Sequence, residues 1–140
     1  MFGFYLEGDP IGTIRIVPMG YQLTLTETLL LQLGHGAPVP TPSDWEVGRL
    51  VLAPEHRSDV DALRHCLHLA LQYACTHRQV DDLYASCTHV LGRLYRRFGF
   101  NAFAKDVPLS GTEKRYTLIC GGSTGVAASL SGRNDTNRPQ

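Results

Sequence analysis

Apolar and polar positions alternate along the chain in a way that divides it into short strands and helices. From Trp45 to Leu52, Val47, Arg49 and Val51 alternate with Gly48, Leu50 and Leu52. Both faces are rich in apolar residues, which predicts a central strand covered on two sides. Pro54 ends it. Ser58 and Asp61 then supply a capping pair, so a helix is predicted from Asp59 to His77. Val60, Leu63, Leu67, Ala70 and Ala74 recur there at three- and four-residue spacing, with Cys66 and Leu71 beside them. Arg64, His65, His68 and Gln72 fall toward the other side, so one face of this helix packs on the sheet.

The rest of the chain fits around that strand and helix. Phe2, Phe4 and Leu6 alternate, Glu7 to Pro10 makes a turn, and Ile11 to Val17 completes a hairpin. The alternation begins with no lead-in, the pattern expected of a domain whose N-terminal elements are missing. Leu23 to Leu33 predicts a short helix capped by Thr26, with Leu29, Leu30 and Leu33 on one face and Gly34 as its stop. His35 to Asp44 carries Pro38, Pro40 and Pro42 and must be a loop. Asp82 to Cys87 predicts a second core strand. Thr88 to Phe98 predicts a helix with Val90, Leu91, Leu94 and Phe98 inward, closed by Gly99. Phe100 to Phe103 and Tyr116 to Cys120 predict the last two strands. From Gly121 the composition collapses to small and polar residues, which reads as a disordered tail over 121–140 after a single domain over 1–120. The fold class is α/β (α+β), a mixed sheet with helices on its faces.

Composition narrows the function. The 140 residues suffice for one core, and the formal net charge is zero. Residues 1–48 hold one basic side chain, Arg15, against five acidic ones, whereas residues 49–105 are mildly basic. The excess is too weak and too interspersed for nucleic acid. Cys66, Cys75, Cys87 and Cys120 show no C-x-x-C spacing and read as reduced, structural thiols. No apolar run approaches the roughly 20 residues that span a bilayer, and no signal peptide is evident. A cytoplasmic protein that is not integral to a membrane is expected. His65 and His68 are three apart but no third ligand completes a set, so no metal site is expected.

Two places can carry chemistry. The turn from the central strand into the helix offers backbone N–H groups to a phosphate or another polar ligand group. Arg15 lies in a half-buried strand among Ile14, Ile16 and Val17. A buried arginine needs a carboxylate, and Glu46 on the neighbouring strand is the candidate. Residues three apart on a regular strand face opposite ways, so Glu46 and Arg49 share a pocket only if the strand bulges, most easily at Gly48.

Three motifs carry a family resemblance. Gly12-Thr13-Ile14-Arg15-Ile16-Val17-Pro18 resembles the G-x-x-R-L-hydrophobic-P strand of the acyl-homoserine lactone synthases, and Trp45-Glu46-Val47-Gly48-Arg49-Leu50 resembles their W-E-x-x-R-F strand. Leu94-Tyr95-Arg96-Arg97-Phe98-Gly99-Phe100 is similar to a helix end found across the GNAT N-acyltransferase superfamily. In order over about 120 residues, they resemble that superfamily's carrier-protein branch, the N-acyl amino acid synthases and autoinducer synthases. The resemblance implies a three-layer α/β/α sandwich whose mostly antiparallel sheet contains a splayed parallel pair.

It also implies an acyltransferase that moves a fatty acyl group from acyl carrier protein to the amine of an amino acid or related molecule. Glu46 would be the base, fixed by Arg15 and Arg49. Backbone N–H groups near Leu50, Val51 and Leu52 would hold the oxyanion, and Tyr95 would protonate the leaving sulfur. Arg57 would meet the donor's phosphodiester, and Arg93, Arg96 and Arg97 would dock an acidic carrier protein. No permanently bound cofactor is implied. Coenzyme-A-dependent relatives have R-x-x-G-x-G/A at the turn where this chain has Arg57-Ser58-Asp59-Val60-Asp61-Ala62. Val60 blocks close backbone approach and two aspartates repel a pyrophosphate, which favours acyl-phosphopantetheine on a carrier protein over free acyl-coenzyme A. The alternatives are a coenzyme-A-dependent N-acetyltransferase and a GNAT-like module that binds an acyl ligand or partner without turnover.

Overall fold

The computed structural model describes residues 2–6, 9–21, 24–56 and 60–131. The predicted hairpin is strand β1 (Phe2–Leu6) with β2 (Asp9–Pro18). Helix α1 (Leu25–Leu33) follows, then β3 (Trp45–Leu52), α2 (Val60–His77) and β4 (Asp82–Cys87). Helix α3 (His89–Tyr95) tightens into a 3₁₀ turn at Arg96–Phe98 and stops at Gly99 in the left-handed conformation. Strands β5 (Asn101–Pro108) and β6 (Arg115–Gly122) and helix α4 (Ser123–Leu130) complete the chain.

The sheet runs β1-β2-β3-β4-β6-β5. Every neighbouring pair is antiparallel except β3 and β4, which are parallel and joined through α2 as expected. Their pairing is confined to Trp45↔Leu83 and Glu46↔Tyr84. Beyond these positions the two strands diverge, which opens the sheet at its centre.

Side-chain alternation then assigns the two faces. Ile14, Ile16, Trp45, Val47, Leu83, Ala85 and Ile119 point to one side and pack with Leu63, Cys66, Leu67 and Ala70 of α2 in the main core. Their neighbours in sequence, among them Arg15, Glu46, Tyr84, Ser86 and Leu118, face α1. There Leu29 and Leu30 join Val107 and Leu118 in a smaller cluster. With α2, α3 and α4 on one side and α1 on the other, the sandwich has three layers, the architecture the motifs implied.

Four local expectations are corrected. Thr24 rather than Thr26 caps α1, accepting the Glu27 N–H at 3.1 Å, because Thr26 is committed elsewhere. Leu33 is 42% exposed although it was expected to share the buried face. Val90 is 75% exposed while Gly92 and Tyr95 are buried, since α3 turns its Gly92 side to Thr117 and Cys87. Finally, the folded part does not end at residue 120. Strand β6 runs to Gly122, and α4 buries Val126 and Leu130, four apart, in the main core. Gly121 permits this docking, because a Cβ there would lie 2.7 Å from the Gly99 carbonyl and 2.8 Å from Val126 Cγ2. Arg64 Nη1 donates to the Leu130 carbonyl at 2.9 Å and ties the end of α4 to α2.

Candidate active site

The site lies where β3 leaves β4. Strand β2 opposes Arg15 to Gly48 and then Thr13 to Val51, so β3 inserts one extra residue between these pairs. The expected bulge is present, but its left-handed residue is Arg49, at φ 52°, and not Gly48. Gly48 contributes space instead: a Cβ there would sit 3.8 Å from Glu46 Oε1. The bulge places Arg49 beside residues of the α1 face. Arg15, Leu25, Glu46, Val47, Gly48, Arg49 and Ser86 line a cavity of about 220 Å3 at the splay.

Glu46 is 7% exposed. Its Oε2 accepts the backbone N–H of Thr26 at 2.9 Å, in the first turn of α1, where unpaired amides and the positive end of the helix dipole favour a carboxylate. The Thr26 hydroxyl lies 2.6 Å from the Ser86 hydroxyl and ties α1 to β4. The sequence reading anchored Glu46 by a salt bridge to Arg15 or Arg49. The structure corrects this, because neither arginine makes an ion pair with it, or with any carboxylate, among the described residues. The anchor is a helix N-terminus that sequence alone does not bring near residue 46. Ser86 was also missed, although its place two residues after Tyr84, the partner of Glu46, is the signal that would have found it.

The other expected residues divide. Past Glu46, β3 has left β4 and pairs with β2 alone, opposing Val51 to Thr13 and Leu52 to Gly12, so Leu50, Val51 and Leu52 lie beyond the splay. Leu50 and Leu52 pack against the main core, and Val51 is 60% exposed. Tyr95 does not line the Glu46 cavity. It is buried on the α2 side of the sheet, edge-on to Phe100 with ring centroids 5.2 Å apart. Burial, reinforced by the neighbouring Cys87, pushes its phenol pKa upward, so it keeps its proton at neutral pH. Arg57 lies outside the described residues. Asp61 at the start of α2 is exposed and sits 3.6 Å from Arg64 Nε.

Arg93 and Arg96 border a second hollow of about 260 Å3 with His89, Asn101 and Lys105. It adjoins another hollow lined by His89, Lys105, Asp106 and Arg115. Arg97 is exposed but lines neither. All four cysteines are free thiols. Among the described residues no helix is long and apolar enough to cross a membrane.

Comparison with known proteins follows the same lines. The sequence profile of the N-acyl amino acid synthase FeeM family matches residues 1–120. No curated protein matches the chain in sequence. Among solved structures, the acyl-homoserine lactone synthase LasI is similar at a TM-score of 0.63 with 19% identity, covering 90% of this chain and 66% of LasI. TofI, solved with an inhibitor and MTA, gives 0.60 and 21%, covering 89% and 64%. MesI, a CoA-dependent acyl-homoserine lactone synthase, gives 0.61 and 17%, covering 91% and 64%. At these identities the likeness is one of fold, and the chain spans less than two thirds of each of these structures.

Proposed function

The chain belongs to the N-acyl amino acid synthase FeeM family, and from that premise we propose that it transfers a fatty acyl group from acyl carrier protein to the amine of an amino acid. The observation that carries this reading is the buried Glu46 carboxylate, held by the Thr26 N–H in a cavity where the parallel strands part. Amide formation from a thioester and an ammonium must remove two protons from nitrogen, and a fixed carboxylate beside an opened strand edge meets the first requirement.

In this reading the acceptor enters as an ammonium and Glu46 takes one proton, directly or through water. The freed nitrogen attacks the thioester carbonyl, and a C–N bond forms. Backbone N–H groups of β3 beyond the splay, in the stretch from Leu50 to Leu52, stabilise the oxyanion. Its collapse breaks the C–S bond, and the sulfur takes a proton from Tyr95, which recovers one from the new amide nitrogen. The net change is thioester plus ammonium to amide, thiol and one released proton. Because Glu46 and Tyr95 lie on opposite faces of the sheet, the thioester must sit in the gap between β3 and β4.

The donor assignment rests on the start of α2, where Val60 and Asp61 replace the glycine-lined backbone that a pyrophosphate requires, and on the basic hollows around Arg93, Arg96 and Lys105. An acidic carrier protein suits such a surface. Both substrates place the reaction in the cytoplasm. The test is to incubate the purified chain with palmitoyl carrier protein or palmitoyl-coenzyme A and a mixture of amino acids. Mass spectrometry should find N-palmitoyl amino acids with the carrier-protein donor. Equal or better yield from palmitoyl-coenzyme A would overturn the donor, and no N-acyl product from either would overturn the activity.

A further inference from the structure

Arg15 and Arg49 border the Glu46 cavity with no carboxylate partner among the described residues. Glu46, the only acidic side chain lining that cavity among the described residues, is already engaged by the Thr26 N–H. Arg15 is half-buried, on the strand beside β3 and opposite Gly48. Arg49 is presented from the bulge in a left-handed backbone conformation that is strained for a residue with a side chain. Two guanidinium groups at one small cavity, Arg15 half-buried and Arg49 exposed at its rim, with a single carboxylate that pairs with neither, leave an uncompensated positive charge there. That is a site for an anion of planar, two-oxygen geometry.

We infer that Arg15 and Arg49 bind the α-carboxylate of the acceptor amino acid while Glu46 receives its ammonium. An α-amino acid carries a carboxylate and an ammonium on the same carbon, and a cavity of about 220 Å3 brings complementary groups equally close together. The arginines therefore act as specificity-determining residues: they select acceptors that bear a carboxylate and turn the amine toward Glu46. An amine without the carboxylate leaves both guanidinium groups unpaired. The inference rests on the acyltransferase reading for the word acceptor, but the binding it describes does not need turnover.

The experiment is an amide-shift titration of the 15N-labelled chain with L-phenylalanine and with phenethylamine, which differ only in the carboxylate. L-Phenylalanine should shift Gly48 and Arg49 and bind at least about 10-fold more tightly, the value of a charge-assisted hydrogen-bonded contact. Arg15→Gln and Arg49→Gln should each reduce that preference, and together remove it, with the melting temperature unchanged. Equal affinity for the two ligands, no binding of either, or a preference that survives both substitutions would overturn the inference. Acyl transfer to the same two compounds separates this from the wider reading. Transfer without a carboxylate preference leaves an acyltransferase whose arginines do something else. A carboxylate preference in binding with no transfer leaves the arginine site and removes the enzyme.

Discussion

The Glu46 carboxylate and the Thr26 amide are bonded at 2.9 Å across 20 positions of sequence. This bond joins the central strand to the first turn of α1 and fixes where the carboxylate points. Gln at position 46 keeps an oxygen for the same amide but cannot take a proton from an ammonium. Glu46→Gln should therefore retain the melting temperature of the parent, while turnover falls by roughly 10² or more, the range typical of a lost general base. Steady-state kinetics and thermal denaturation on the same preparation check it. Unchanged turnover with an intact fold would leave Glu46 as an anchor for α1 only.

Gly12 begins the first of the three motifs, and its role is steric. A Cβ at this position would lie 2.5 Å from the Val51 carbonyl oxygen and 2.9 Å from Leu52 Cδ2. The nearer atom belongs to the backbone and cannot swing away. Gly12→Ala should cost about 1–3 kcal/mol, visible as a lowered denaturant midpoint. It should also lower activity by pushing β2 from the bulged end of β3. A variant as stable as the parent would contradict this account of the motif's glycine.

Burial sets the alkaline limit of stability. The Cys87 and Cys120 thiols are pushed from 9.0 up to about 11 by burial, Cys120 also by the Asp82 carboxylate. The Tyr84 and Tyr95 phenols are raised by burial as well. Between pH 9 and 11 the unfolded chain releases thiol protons that the folded chain keeps, so the unfolded state binds fewer protons and stability falls as pH rises. The melting temperature should be level up to about pH 8.5 and then decline. Replacing both cysteines with alanine should make that decline shallower. A melting temperature that stays level to pH 11 would show these thiols to be less buried than described.

The groove beside α3 makes a separate prediction about the donor. Charge reversal at Arg93 and Arg96 should raise KM for an acylated carrier protein by about 10-fold or more, with a loss that shrinks at high salt. KM for the corresponding acyl-pantetheine, which has no protein to dock, should stay the same. Equal effects on both donors would place these arginines at the thioester instead of at a protein interface.

The sequence made the sheet and its long helix legible because their signals are local. The spacing of Leu63, Leu67, Ala70 and Ala74 gave α2 its buried face, and the short run from Asp82 to Cys87 read as a core strand with the bounds that β4 has. The bulge was legible because Glu46 and Arg49, three apart on a strand, share a pocket only if the strand bulges between them. What holds Glu46 was not legible, since Thr26 reaches it only through the return of α1 over the sheet. Helix α4 was missed for a related reason. Val126 and Leu130 are two apolar residues in a segment of small ones, and only the groove floored by Gly121 gives them something to pack on. The arginines were paired with Glu46 on proximity in sequence and sheet, whereas tertiary structure gave Glu46 a different partner.

The central claim is acyl transfer to an amino acid at the Glu46 cavity. Its most direct test is the parent chain and Glu46→Gln, side by side, with palmitoyl carrier protein and L-phenylalanine, read by mass spectrometry of the lipid extract. The account predicts N-palmitoyl-phenylalanine from the parent, accumulating with stoichiometric release of carrier-protein thiol, and a yield lower by about 10² from the variant. Thiol release with free palmitate as the only product, or equal amide from both proteins, would contradict it.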